Sequence, residues 1–113
     1  MPDHIKIRTA PGTYVVRAGG AVLGETSRAL ELSEGDYPPV IYFPREDLAM
    51  AFLDKTDTVS VCPFKGEATY YAIHTKSVVI ADAAWSYEDP KPLVSGLKDY
   101  IAFYPRKAAV EQL

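Results

Sequence analysis

The sequence has little that would support a metal site, a disulfide or a membrane segment. Its single cysteine, Cys62, cannot form an intramolecular disulfide or supply the two or four thiolates of the common zinc sites, so we expect no metal and no cofactor. No apolar run approaches the roughly 20 residues of a membrane helix. Met1–His4 includes an acidic residue and no apolar segment follows it, so no signal peptide is predicted. We therefore expect a cytoplasmic protein that does not bind membranes.

Basic residues are also too few and too scattered for a nucleic-acid-binding surface. The chain has 12 Lys and Arg against 15 Asp and Glu, which gives a formal net charge of −3 at pH 7. Arg106 and Lys107 form the only adjacent basic pair in the sequence. Because binding to phosphates needs a concentrated basic face, we predict no nucleic-acid partner. The sequence does not define the oligomeric state.

The 113 residues fit a single domain, which we place at 1–113. With 48% apolar residues, 8 Tyr, 4 Phe and 1 Trp, the chain has enough apolar surface for a core and is not expected to be disordered. Proline and glycine divide it into short extended segments, a pattern typical of all-β domains. The pair Gly19-Gly20 predicts a tight hairpin turn. We predict a mainly β fold of two packed antiparallel sheets or a small open barrel, with one helix.

The one predicted helix spans about residues 44–54. Pro44 suits the first helical position, where its missing N–H would have no partner. Glu46 and Asp47 add negative charge to the first turn, where the helix dipole favours it. The apolar residues that share one face at helical spacing are Leu48, Ala49, Phe52 and Leu53.

Arg45 stands out within this segment because a cation in the first turn of a helix opposes the dipole. A partner should offset the unfavourable charge. One interpretation is an ion pair with a nearby carboxylate. The other is a guanidinium that binds a carboxylate, phosphate or carbonyl group of a ligand. The sequence leaves both interpretations open.

Cys62 ends a predicted strand, and Lys65 follows in the next turn. A nearby ammonium group would stabilise the thiolate and make it more reactive, while a structural cysteine that packs as a small apolar residue is the alternative. In the following strand, the alternation of side chains places Tyr70 and Tyr71 on opposite faces. One of these tyrosines therefore faces the core or a cavity.

Trp85 and Tyr87 share one face of a later predicted strand, beside the small residue Ala83. Small residues next to large rings leave room for a ligand, and a core tryptophan with a bonded indole N–H is the alternative. Glu88 and Asp89 follow, but adjacent acids point to opposite sides of a strand, which argues against a catalytic carboxylate pair. We find no standard phosphate-binding, metal-binding or nucleophile motif.

Four strings in the sequence carry a resemblance to a known family: YPPVIYFPRED, CPFKGEATYY, DAAWSYEDP and YIAFYP, in this order. They resemble the bacterial family called domain of unknown function 427, over about residues 21–104. No activity is assigned to that family. The resemblance implies a fold similar to the β-tent, in which two antiparallel sheets are joined near one end, and relatives of that fold bind small ligands between the sheets. Many of those relatives hold zinc with four cysteines, which this chain cannot supply.

Our leading hypothesis is a small-molecule-binding domain with an aromatic-lined cleft between two sheets. Its polar groups would favour an anionic or carbonyl-bearing ligand. The predicted ligand-binding residues are Tyr42, Arg45, Lys65, Tyr70, Trp85 and Tyr87. A thiol enzyme with Cys62 as the nucleophile or redox centre is one alternative, and a protein-interaction module with an exposed aromatic surface is the other.

Overall fold

Ten strands in three antiparallel sheets make up most of the computed structural model, which describes residues 4–113. The first sheet contains β1 (Ile5–Thr9), β4 (Leu30–Glu34) and β5 (Val40–Tyr42), in that order. The second sheet contains β10 (Ala109–Gln112), β2 (Tyr14–Ala18) and β3 (Ala21–Thr26), in that order. The third sheet contains β6 (Leu53–Cys62), β7 (Gly66–His74), β8 (Val79–Ser86) and β9 (Ile101–Phe103), in that order.

The predicted mainly β fold of packed antiparallel sheets is confirmed, with three sheets rather than two. Within residues 4–113 no sheet closes on itself into a barrel. Gly19 and Gly20 form the predicted hairpin turn between β2 and β3, with φ values of +56° and +79° that suit glycine. Residues 1–3, the start of the N-terminus for which no signal peptide is predicted, lie outside the described residues.

The predicted helix at residues 44–54 is wrong. Two 3₁₀ turns, Arg45–Asp47 and Met50–Phe52, occupy the segment, and Leu53 already begins β6. A third 3₁₀ segment spans Pro92–Leu97. In the part of the chain that the structure describes, no helix is long and apolar enough to cross a membrane.

Pairing with β3 explains why the two 3₁₀ turns do not join into a helix. Leu48, between them, has extended backbone angles and forms an antiparallel bridge with Gly24. The N–H of Ala49 donates to the carbonyl of Leu23 at 2.7 Å, a bond that replaces the helical i−4 bond. A long-range strand contact therefore overrides the local helical pattern.

The third sheet separates two hydrophobic clusters, and its strands contribute residues to each. Ile101 and Phe103 pack in one cluster with Val16 of the second sheet. Ala102, between them, packs in the other cluster with Leu32 of the first sheet. The first and second sheets therefore cover opposite faces of the third.

A single β-bridge joins the first sheet to the third. Phe43 and Ile101 exchange two backbone hydrogen bonds, with N–O distances of 2.8 and 2.9 Å, and Phe43 is fully buried. The bridge is isolated, because no further residue of β5 pairs with β9, although the two strands remain close to each other. The cleft described next lies beside this junction.

Candidate functional site

A cleft lies beside the junction of β5 and β9, where residues of all three sheets meet. Its volume is about 350 Å³, within the range of small-molecule sites. The cleft is lined by residues of β5, β8, β9 and β10 and of the segments that precede β5 and β10. Six of them are Pro39, Ile41, Trp85, Phe103, Pro105 and Val110. The lining is largely apolar, so the cleft suits the apolar part of a ligand.

Trp85 is held at the wall of this cleft by two other aromatic residues. Its indole Nε1 donates a hydrogen bond to the Tyr42 hydroxyl at 3.2 Å, and the two rings meet edge to face. The ring of Tyr104 lies 4.5 Å from the indole, centroid to centroid. Burial raises the pKa of Tyr42, which is only 2% exposed, so its hydroxyl remains protonated at neutral pH. These contacts fix the orientation of the indole.

Tyr70 extends the aromatic group away from the cleft. Its ring stacks on that of Tyr104 with 6.4 Å between centroids, and the two hydroxyls are 3.2 Å apart. The Tyr70 hydroxyl also lies 3.0 Å from Oγ of Ser60 on β6. Burial and the contact with Tyr70 raise the pKa of Tyr104 to about 12. Tyr70 therefore supports Tyr104, which in turn packs against Trp85.

A second depression adjoins the cleft, and Pro105 lines both. Tyr104, Arg106 and Lys107 complete its lining. The Lys107 ammonium donates to the Ala81 carbonyl at 2.8 Å and lies 6.0 Å from the centroid of the Tyr104 ring. Arg106 is exposed and forms no ion pair with any residue of 4–113. A cation without an acidic partner thus stands beside an apolar cleft.

Lys65, predicted to bind a ligand or to activate the thiol, already has an acidic partner. Its ammonium group donates to Oε1 of Glu34 at 2.7 Å, and the side chain is 13% exposed. This hydrogen bond is the main reason that the pKa of Glu34 is lowered. Cys62 is half-buried at the end of β6. The positive charge that would stabilise a Cys62 thiolate is therefore offset by Glu34.

Tyr87 is buried in the cluster that also contains Tyr42. Burial, followed by the charges of Tyr42 and Cys62, raises the pKa of Tyr87, which keeps its hydroxyl neutral. Among residues 4–113 the hydroxyl has no hydrogen-bond partner. Tyr87, Tyr42 and Cys62 are not among the residues that line the cleft.

Arg45 lies on the opposite face of the third sheet from Trp85. Its Nη2 donates to Oγ of Ser86 and to Oε2 of Glu88, both at 3.0 Å, and its Nε donates to the Asp99 carbonyl at 2.6 Å. Ser86 follows Trp85 in β8, so the two side chains point to opposite faces. The ion pair with a nearby carboxylate, one of the two interpretations of Arg45, is confirmed.

Sequence reasoning missed the polar cluster around Glu88. The Tyr71 hydroxyl donates to its Oε2 at 2.5 Å, and the Lys55 ammonium donates to its Oε1 at 3.1 Å. The Arg45 guanidinium lies 5.4 Å from the centroid of the Tyr71 ring. Burial alone would raise the pKa of Glu88, but hydrogen bonds from Tyr71, Lys55 and Arg45 outweigh it and lower the pKa. Alternation along the predicted strand, which places Ser86 and Glu88 on one face, was the available signal.

Sequence reasoning also missed most of the cleft lining. Phe103 and Pro105 belong to the string YIAFYP that carries the family resemblance, and Arg106 belongs to the only adjacent basic pair. The string and the basic pair are both visible in the sequence, but neither indicates which distant strands meet at the cleft. No group of three or more His, Cys, Asp and Glu in the described part of the chain is arranged to hold a metal ion.

Comparison with known proteins assigns a family to this architecture without assigning an activity. A search of curated proteins found no match. The model of the family described as domain of unknown function DUF427 matches residues 6–112, which is nearly the whole chain. The chain therefore belongs to the DUF427 family.

Proposed function

We propose that this domain binds a small ligand with an apolar body and an anionic or carbonyl-bearing group. The main observation in support of this proposal is the cleft of about 350 Å³ where the three sheets meet. The indole of Trp85, held by its hydrogen bond to Tyr42, lies on the wall of this cleft. Small-molecule sites are typically concave, mostly apolar and equipped with a few oriented polar groups. The cleft is concave and mostly apolar, and Arg106 of the adjoining depression is the polar group nearest to it in this proposal.

Arg106 supports the anionic part of the proposal. It lies in the depression that shares Pro105 with the cleft, and it has no ion-pair partner among residues 4–113. A guanidinium can bind a carboxylate or phosphate through two parallel hydrogen bonds. A ligand whose apolar part contacts Trp85 would place its charged group toward Arg106.

Two of the other predicted residues, Tyr42 and Tyr70, support the indole of Trp85. Tyr42 accepts the indole hydrogen bond and fixes Trp85, and Tyr70 supports Tyr104 against the same indole. Arg45 pairs with Glu88 on the opposite face, so we assign it a structural role. The proposed contact residues are therefore Trp85 and Arg106, with Tyr42, Tyr70 and Tyr104 as positioning residues.

Fluorescence can test this proposal directly, because Trp85 is the only tryptophan. The probe is anilinonaphthalene sulfonate, an aromatic anion, titrated while the emission of Trp85 is recorded. We expect saturable quenching in the wild type. Val110→Phe, which fills the cleft, and Arg106→Gln, which removes the cation, should each weaken binding by about tenfold or more.

Arg8→Gln is the matched control. It removes the same charge from an exposed side chain of β1 that pairs with Glu31, and Arg8 does not line the cleft. It should leave the affinity for the sulfonate unchanged. Equal affinities for the wild type, Val110→Phe and Arg106→Gln would show that the sulfonate binds elsewhere and would overturn the proposed site.

A further inference from the structure

The strand β6 forms one edge of the third sheet, with β7 on its inner side. Within residues 4–113 no strand pairs with its outer side. Residues 59–62 pair regularly with β7, after a register shift between Lys55 and Val59. An edge of this kind can pair with any further strand that approaches it, because its outer backbone groups have no strand partner.

Two exposed valines lie on this edge. Val59 is 58% exposed and Val61 is 73% exposed. Ser60, between them, has its Oγ 3.0 Å from the hydroxyl of Tyr70, so its side chain points to the face that the first sheet covers. By alternation, the two valines share the opposite face. Their exposure shows that no other sheet covers them there.

Residues 59–62 lack the features that usually protect an edge strand. Such strands are commonly shielded by charged side chains, by proline or by a bulge. The segment VSVC contains neither a charged residue nor a proline, and the register shift lies before it. Lys55, further back on the strand, donates to Oε1 of Glu88 at 3.1 Å and so points to another group. An uncharged edge segment with β-branched side chains is typical of strands that pair with another chain.

We propose that this edge of β6 pairs with the same edge of a second copy of the chain. The two strands run antiparallel about a two-fold axis at Ser60, so Val59 of each copy lies opposite Val61 of the other. Cross-strand pairs of β-branched residues stabilise a sheet, and a two-fold interface uses the same surface of both copies. The two four-stranded sheets thereby join into one continuous sheet.

Charge selects both the second copy as the occupant and the position of the axis. Residues 59–62 are uncharged in each copy, so pairing about Ser60 opposes no like charges. A shift of the axis toward Asp57 places that carboxylate opposite a valine or opposite the second Asp57, both of which are unfavourable. A shift as far as Thr56 leaves Val61 without a partner. The register about Ser60 is therefore the one that covers both valines and keeps Asp57 outside the paired residues.

The resulting dimer should be weak, because the paired segment is short. Standard interfaces bury about 800 Å² on each partner, more than a few residues of one strand can cover. We therefore expect a dimer that depends on concentration. The inference does not rest on the proposed function, because the cleft lies beside β9 at the opposite edge of the sheet and no residue of β6 lines it.

Sedimentation velocity of the full chain in a reducing buffer tests the dimer. Between about 1 µM and 1 mM protein, the weight-average mass should rise from 12.4 kDa toward twice that value. Val61→Lys adds a charge to the edge and should raise the dimer dissociation constant at least about tenfold. Val79→Lys is the matched control, because Val79 is 75% exposed but lies on β8, an inner strand. It should leave the dissociation constant unchanged.

Disulfide trapping tests the register. Residues directly opposite in an antiparallel pair have Cα atoms about 4.5–5.5 Å apart, a separation that a disulfide can span. With Cys62→Ser as the background, Ser60→Cys should therefore give a covalent dimer on oxidation, measured on a non-reducing gel. Val79→Cys in the same background is the control and should cross-link at least about tenfold more slowly.

Three results would overturn the inference. The first is a mass of 12.4 kDa at every concentration. The second is a dimer that Val61→Lys does not weaken, because such a dimer would use another surface. The third is cross-linking of Ser60→Cys no faster than that of Val79→Cys, because the axis would then lie elsewhere. The sulfonate titration tests the cleft separately from all three.

Discussion

The indole N–H of Trp85 donates its hydrogen bond to the hydroxyl of Tyr42, at 3.2 Å, across the junction of the third and first sheets. Tyr42 is buried at the end of β5, one residue before the bridge between Phe43 and Ile101. The hydrogen bond and the bridge thus join the same two sheets at adjacent positions. The indole at the wall of the cleft is consequently fixed beside the bridge that joins the two sheets.

Tyr42→Phe tests whether this hydrogen bond orients the indole. The substitution keeps the ring and removes the acceptor, so the indole N–H loses its partner. We expect a loss of about 1 kcal/mol in the free energy of unfolding, a shifted emission maximum of Trp85, and weaker quenching by anilinonaphthalene sulfonate. Urea denaturation and fluorescence titration measure these effects.

Tyr14→Phe is the control for this change. Tyr14 is buried in the other hydrophobic cluster, and its hydroxyl has no hydrogen-bond partner among the described residues. The variant should retain the wild-type emission and affinity. If Tyr42→Phe behaved like Tyr14→Phe, the hydrogen bond would have no part in orienting Trp85.

Local signals in the sequence were sufficient for the fold class but not for the segment after β5. Gly19 and Gly20 determine their hairpin through backbone angles that glycine tolerates, a purely local effect. The segment 44–54 also has a local helical pattern, yet Leu48 pairs with Gly24 of a distant strand. A pattern within one segment carries no information about such a partner, so the helix was predicted where two 3₁₀ turns occur.

The candidate site was likewise predictable from the sequence only where local alternation determines it. Alternation along β8 places Trp85 and Ser86 on opposite faces, and this follows from the sequence. The sequence does not reveal which face meets Arg45, because that depends on the packing of three sheets. In the structure Arg45 bonds to Ser86, on the face opposite Trp85, and it does not line the cleft.

Arg45 and Glu88 should contribute to stability as a coupled pair. Arg45→Met removes three hydrogen bonds and leaves the buried hydroxyl of Ser86 and the carbonyl of Asp99 without this donor. We expect a loss of about 1–3 kcal/mol. The two side chains are 27% and 29% exposed, so solvent screening limits their coupling to about 1 kcal/mol. A double-mutant cycle with Glu88→Gln measures it, and additive losses would exclude coupling.

The free energy of unfolding should fall as the pH is lowered through the acidic range. The folded protein lowers the pKa of Glu88 below its usual value near 4.5, so the unfolded chain takes up a proton first as the pH falls. The contribution of Glu88 is therefore complete above about pH 4.5 and is lost as the pH falls through the folded-state pKa. Urea denaturation between pH 6 and 3 should show a shallower decline for Glu88→Gln. An identical decline would contradict the role of Glu88.

Alkylation of Cys62 tests the thiol-enzyme alternative. Because Glu34 offsets the charge of Lys65, we expect removal of both charges in the double variant Lys65→Met/Glu34→Gln to change the rate of iodoacetamide labelling by less than about twofold. Glu34→Gln leaves the ammonium without its acidic partner and should accelerate labelling if its charge reaches the thiol. A large decrease with the double variant would instead indicate that Lys65 activates Cys62 and would favour the thiol enzyme. Mass spectrometry measures the rates.

Gly24→Ala tests the contact that interrupts the predicted helix. A Cβ on Gly24 would lie 2.4 Å from the carbonyl oxygen of Asp47 and 2.7 Å from Cδ2 of Leu48. The backbone oxygen cannot move without breaking the bridge to Leu48, so we expect a loss of about 1–3 kcal/mol in the free energy of unfolding. Gly96→Ala is the control, because a Cβ there meets no atom within 4 Å and should change stability by no more than about 0.5 kcal/mol. Equal stabilities of the two variants would show that β3 does not approach the segment this closely, and the explanation for the missing helix would fail with it.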